Sequence, residues 1–286
     1  MKDTNISTNN FTIDGITFKL KSFFDFSFLS KYGKVFKVFD DQDSGNICFG
    51  TEKDGDKYFV KFAGAPTAEY NGSPIDAIKR LKKSLPIYQE LQHNNLIELV
   101  NYENIGNGFS MVFKWVDGYC MGRMYQDEHK AFMQLPISDK LNVFSDILDF
   151  LEYINSNGYV AVDFYDGSII YDSVNRKTTI CDIDYFEKQP YINNMGRMYG
   201  SAKFMSPEEF ELGATINEIT NVYTAGAFAF ALFGNYSKNI VDWKLSKKLF
   251  SVATKAVNNN RNDRYSSINE FRKAWDNYEK WINKNN

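Results

Sequence analysis

The sequence predicts an α+β protein in two parts, a strand-rich part followed by a mainly helical one. Two observations carry this. Runs mixing β-branched and aromatic residues with polar ones crowd the first 116 positions, and the apolar spacing then changes to a helical period. The high aromatic share, 16% with 25 Phe and 18 Tyr among 286 residues, supplies bulky side chains for a substantial core.

The strands come first. Lys34 to Asp41, Asn46 to Lys53 and Lys57 to Gly64 read as three, the last two joined as a hairpin through Asp54-Gly55-Asp56. After Pro74, apolar Ile75, Ile78, Leu81 and Leu85 recur at helical spacing, with Pro86 as an interruption. Leu96 to Ile105 and Phe109 to Val116 read as two more strands around Gly106-Asn107-Gly108, and a connector follows near Trp115 to Gly118. Ser138 suits the N-cap of a helix whose Leu141, Phe144, Ile147, Leu148 and Leu151 share one face and which Gly158 closes. Short strands in Gly167 to Asp172 and Thr178 to Asp184 flank Val174-Asn175-Arg176, and helices resume from about Glu218 to Phe233 and from about Asp242 onward. No repeat or low-complexity linker interrupts this order. The expected division is an N-terminal extension over 1–33, a strand-rich lobe over 34–116 and a helical lobe over 117–286. The aromatic stretch Phe18 to Leu29 in the extension suits either an element covering the strands or a partner-binding segment.

Composition narrows the partners. A net charge of −3 gives no basic surplus, so nucleic acid is not expected. Three scattered cysteines, Cys48, Cys120 and Cys181, form neither a metal cluster nor a disulfide framework and point to a reducing compartment. His93 and His129 are too far apart for a histidine-based metal site. The polar start MKDTNISTNN lacks a signal peptide's apolar core, and no run is long enough to span a membrane, so the cytoplasm is expected.

Several motifs carry chemistry. Lys61 lies in a strand, Tyr58 to Phe62, downstream of the turn Asp40 to Gly45. GYVAVDFYDGSIIYD and TTICDIDYF place Asp163 and Asp182 after a long helix and after a strand. GSAKFMSPEEF holds Ser206-Pro207-Glu208, and NNNRNDRYSSINEFRKAW holds Arg264. In order and spacing these motifs, with the elements around them, resemble the eukaryotic-type Ser/Thr protein kinase family from about Lys34 to Trp275.

That resemblance implies a two-lobed fold, ATP and Mg²⁺ as cofactors, and γ-phosphate transfer to a Ser or Thr hydroxyl of a protein. It implies that Lys61 contacts the α- and β-phosphates, Gly45 belongs to the phosphate loop, and backbone groups of Lys114, Trp115 and Val116 bind adenine beside Phe113. Asp163 would orient the acceptor hydroxyl, Asp182 would hold Mg²⁺, and Ser168 stands where the family has a metal-binding Asn. It also implies a buried Glu208–Arg264 pair. The chain departs from the pattern in named places. Only Gly45 remains of three loop glycines, Ala161-Val162 replace His-Arg, and Tyr165 replaces a lysine. Ser84 falls where the helix Glu should pair with Lys61, and Asn221 replaces the Asp that braces the catalytic loop. Asp166 and Asp184 are candidate auxiliary metal ligands. Two alternatives stay open: a pseudokinase that binds without transfer, and a phosphotransferase for a small, antibiotic-type molecule.

Overall fold

The structure, a computed structural model, describes residues 8–285, with side chains to residue 277. Seven residues of the polar start therefore lie outside the described residues. The fold is mixed α and β with antiparallel sheets, and the chain divides into two compact units. One comprises residues up to Glu90 together with Ile97–Val116; the other comprises Leu91–Leu96 and the chain from Asp117.

The first unit starts with a hairpin, β1 (Asn9–Ile13) and β2 (Ile16–Leu20), turned by Asp14 and Gly15 at φ 50° and 87°. Two successive positive φ values make the turn that matches strand twist. A 3-10 turn, Ser27–Tyr32, follows. The main sheet holds β3 (Lys34–Phe39), β4 (Asn46–Lys53), β5 (Asp56–Ala63), β6 (Leu99–Ile105) and β7 (Gly108–Lys114) in the order β3-β4-β5-β7-β6. Asp54-Gly55 turns β4 into β5, as the sequence predicted.

Because side chains alternate across a strand, each face of this sheet has a fixed membership. Ile47, Phe49, Val60, Phe62 and Val112 share one face, and Phe18, Leu20, Phe26, Phe28 and Leu29 bury themselves against it. Residues 9–33 thus cover the sheet. Phe26 is central: its ring lies 5.0 Å from Phe49 and 6.0 Å from Phe62, centre to centre. Helix α1 (Pro74–Glu90) takes the other face, with Tyr88 4.9 Å from Phe113. The sequence expected Pro86 to interrupt this helix, but it continues through it. Docking of Leu81, Ser84, Ile87 and Tyr88 on the sheet outweighs one lost backbone hydrogen bond.

The second unit contains β8 (Tyr119–Cys120), α2 (Gln126–Met133), α3 (Ile137–Ser156), β9 (Tyr159–Val160), β10 (Ile169–Asp172), β11 (Lys177–Ile180), β12 (Glu187–Lys188), β13 (Tyr191–Ile192) and β14 (Thr215–Ile216), then α4 (Glu218–Gly234), α5 (Lys247–Ala256) and α6 (Ile268–Asn285). Ser138 is not the N-cap of α3; the helix starts one residue earlier, behind Pro136, which fixes the entering backbone. Helix α4 is buried all round, and Phe144 of α3 meets Phe233 of α4 at 5.9 Å and Trp275 of α6 at 4.6 Å. The helical run expected from Asp242 is two helices, because Asn258 to Arg264 turn outward to make a buried contact. There the Arg264 guanidinium grips Glu208 through two parallel bonds of 2.7 and 2.8 Å, with both side chains almost fully buried. Among the described residues no helix is long and apolar enough to cross a membrane.

Phe26→Ala empties the centre of the first core and is expected to destabilise the fold by about 3–5 kcal/mol in urea unfolding. Removing Arg264 strands a buried carboxylate, a loss of about 3–5 kcal/mol. The two adjacent glutamates titrate in opposite senses. Burial works to raise Glu208, but its bonds to Arg264 prevail and hold it below the ordinary value of 4.5, so its stabilisation is complete above that pH and fades below it. Burial pushes Glu209 up to about 7, so its contribution is full below 4.5 and is lost as pH rises through about 7. Thermal melts of Glu209→Gln should therefore lack the decline that the parent chain shows between about pH 5 and pH 8.

Candidate active site

Lys61 sits in mid-strand on β5, directly opposite Cys48 of β4 and Met111 of β7. That row lies on the face covered by α1. Ser84, at the position where the sequence expected a helix Glu, is fully buried there; its hydroxyl donates to Leu81 O at 2.9 Å and lies 3.7 Å from Met111 Sδ. The helix position beside the lysine row is therefore occupied by a small hydroxyl, not a carboxylate.

The turn before β4 is fastened from two sides. Asp40 accepts the Lys19 N–H at 2.7 Å, and Arg80 of α1 donates to Ser44 O at 2.7 Å while lying over the Tyr70 ring. Gly45 has φ 82°, and a Cβ there would stand 2.6 Å from the Tyr70 ring. Both the backbone angle and the crowding require glycine.

At the end of β7, Phe113 is buried. The N–H of Lys114 donates to Glu98 O and that of Trp115 to Lys57 O, both at 3.0 Å. Of the three residues predicted to bind adenine, Val116 alone keeps an N–H that meets no acceptor among the described residues. The Trp115 indole packs on Phe36 at 4.9 Å and over Gly50, where any side chain would collide with it.

In the second unit two loops are bounded by the same two strand pairs. Residues 161–168 run from β9 to β10, and residues 181–186 run from β11 to β12; β9 pairs with β12 and β10 with β11. Cys181 N–H donates to Ser168 O at 2.9 Å, joining the loops where they meet β10 and β11. This pairing brings Asp163 and Asp182 into one neighbourhood. Both are left-handed, at φ 57° and 56°. Asp tolerates that region better than most residues, and non-glycine outliers gather at functional sites. Tyr165 lies within the electrostatic reach of both. Burial first, then the Asp182 and Asp163 carboxylates, push its phenol far up, so it stays a neutral donor. The sequence had marked Tyr165 only as a replaced lysine.

Other neighbours hold the loops. Asn221 of α4 accepts the Ala161 N–H at 2.9 Å, so the amide does the bracing expected of the family's Asp. Ser168 Oγ is buried with no hydrogen-bond partner among the described residues. Asp166, considered as an auxiliary ligand, is buried and accepts the Tyr236 hydroxyl at 2.7 Å. Gly200 lies so close to the loop of Asp163 that a Cβ on it would stand 3.7 Å from Asp163 Cα. From there the segment reaches Ser206, whose N–H and hydroxyl both donate to Glu209, and then the Glu208–Arg264 pair.

No family model matches the chain. It is similar to the serine/threonine-protein kinase BCK1/SLK1/SSP31 of Saccharomyces cerevisiae, 21% identical over 188 residues, 63% of this chain and 12% of that protein. It is also similar to the probable serine/threonine-protein kinase gdt2 of Dictyostelium discoideum, 26% identical over 175 residues, 57% of this chain and 11% of that one. The chain thus spans roughly a tenth of the length of either relative, and the likeness to protein kinases is distant and partial.

Asn221→Ala strands the buried Ala161 N–H and is expected to destabilise the fold by about 1–3 kcal/mol. Faster hydrogen exchange at the Ala161 amide should accompany that loss, and unchanged exchange would remove Asn221 as the brace.

Proposed function

We propose that this chain is a two-lobed, protein-kinase-type phosphotransferase that uses ATP and Mg²⁺ and transfers the γ-phosphate to a Ser or Thr hydroxyl of a protein in the cytoplasm. One observation carries the reading: Asp163 and Asp182, both left-handed, sit in two loops bounded by the same strand pairs, with the neutral Tyr165 phenol in the field of both. A structural pair of turn aspartates accounts for neither the shared strain nor the shared neighbour.

The residues suit the cofactor. Mg²⁺ is held by one or two carboxylates with phosphate and water, not by an all-protein cage. Asp182 would supply the carboxylate, and the orphaned hydroxyl of Ser168, whose carbonyl takes the N–H of Cys181 next to Asp182, would supply a second oxygen. When bound, Mg²⁺ neutralises charge on the transferring phosphoryl group.

The chain's own groups do the rest. Lys61 contacts the α- and β-phosphates as a point charge, Val116 offers its free N–H to adenine, and the turn at Gly45 presents backbone to the phosphates. Asp163 accepts a hydrogen bond from the acceptor hydroxyl, aligns it and takes its proton as the new oxygen–phosphorus bond forms and the γ-phosphorus parts from the bridging oxygen, which leaves with ADP. Tyr165 stays protonated and donates within the site, partly doing the work of the absent lysine. The pseudokinase alternative is favoured by the buried Ser84, which leaves the lysine row without the family's helix carboxylate.

Radiolabel transfer from ATP and direct Mg²⁺-ATP binding separate these readings. Asp163→Asn and Asp182→Asn are the right variants, because Asn also tolerates the left-handed backbone. Asp163→Asn should keep nucleotide binding and lose at least about 100-fold in transfer rate. Lys61→Ala and Asp182→Asn should weaken nucleotide binding. Mg²⁺-ATP binding by the parent chain without transfer to any protein would leave the pseudokinase, and transfer only to small molecules would redirect the substrate.

A further inference from the structure

The second unit places two cations on one aromatic ring beside the candidate catalytic loop. The Arg123 guanidinium lies 5.2 Å and the Lys203 ammonium 4.8 Å from the centre of the Tyr236 ring, and the His129 ring lies 5.9 Å from it. Tyr236 is anchored by its hydroxyl on Asp166, three residues after Asp163. Lys203 follows Gly200, which packs against Asp163 Cα, by three residues. Arg123 follows Gly122, where a Cβ would stand only 2.9 Å from Gly167 Cα, next to Asp166. Two backbone approaches and one side-chain hydrogen bond therefore fix this patch to the loop that carries Asp163.

The charges are available to a ligand. Arg123 and Lys203 are exposed, and among the described residues neither is in a salt bridge. The one carboxylate that touches the cluster, Asp166, is buried and bonded to the Tyr236 hydroxyl. The ring orders both side chains in advance, so less conformational freedom is lost on binding. A chain with net charge −3 that gathers two unpaired cations at this point attracts anionic groups there and repels cationic ones.

We propose that Arg123, Lys203 and Tyr236 form a docking surface for an acidic segment of the acceptor polypeptide, seating Asp or Glu side chains that flank the hydroxyl presented to Asp163. The inference rests on the phosphotransfer reading for the identity of the acceptor, but the surface itself can be tested by binding alone.

The experiment uses the full chain and two fluorescent Ser-containing peptides, one flanked by Glu and one by Lys. Anisotropy should show that the Glu peptide binds, that salt weakens it, and that the Lys peptide binds far less. Arg123→Glu combined with Lys203→Glu should weaken the Glu peptide by roughly tenfold or more without moving the thermal midpoint. Equal binding of both peptides, or a double variant that binds like the parent, overturns the proposal. Radiolabel transfer on the same peptides separates the two readings. Charge-dependent binding without transfer supports the surface and removes the enzyme. Transfer to the Lys peptide in preference to the Glu peptide supports the enzyme and removes the surface.

Discussion

The second unit depends on one buried ion pair. Arg264 uses its fork on both oxygens of Glu208 and directs its remaining donors to the carbonyls of Asn258, Asn259 and Ile219, while Thr220 donates to the same carboxylate at 3.1 Å. A buried charge pair is tolerable only when its other hydrogen-bonding capacity is met, and here it is. The pair ties the turn at 207–210 to the start of α4 and to the loop before α6. From the same turn Met198 N–H is held by Glu209 O at 2.8 Å, and Gly200 follows against Asp163. The position of the candidate catalytic carboxylate is thus referred, through one segment, to a guanidinium near the other end of the unit.

Much of this was legible in the residues. Glycines at required positive φ, as in Asp54-Gly55, mark the hairpins, and alternation of β-branched and aromatic residues marks the strands. The Glu208–Arg264 pair and the neighbourhood of Asp163 and Asp182 follow from motif order. What stayed hidden depends on three-dimensional neighbours. Nothing local to Tyr165 indicates that Asp182 acts on it as well as Asp163, and Tyr236 lies in a turn with no motif. Pro86 and Ser138 misled for a common reason: propensity and capping rules describe an isolated helix, whereas docking on a sheet and a preceding proline decided where these helices run. Asn221 shows the converse. A lost charge suggested a lost role, yet a backbone N–H needs only an acceptor, and an amide oxygen serves.

The first unit shows how a sheet divides its two faces between a core and a candidate site. Alternation gives one face to the aromatic cover of residues 18–29 and leaves the other to α1, Lys61 and Trp115. The covered face carries no candidate chemistry, so it is free to be packed tightly. The second face carries the lysine, and the small residues there, Gly50 on the sheet and Ser84 on α1, make room where larger ones would close it.

The cover also has a consequence for synthesis. Its aromatic residues are made before the sheet they cover, and the last strand they pack on, with Val112, comes roughly 90 residues later. At ordinary translation speeds, about 5–20 residues per second, Phe18, Phe26 and Phe28 wait on the order of 5–20 seconds before that strand completes their core. The most aromatic stretch of the chain is therefore a nascent segment that a ribosome-associated holdase would find exposed for longer than any other part of this core.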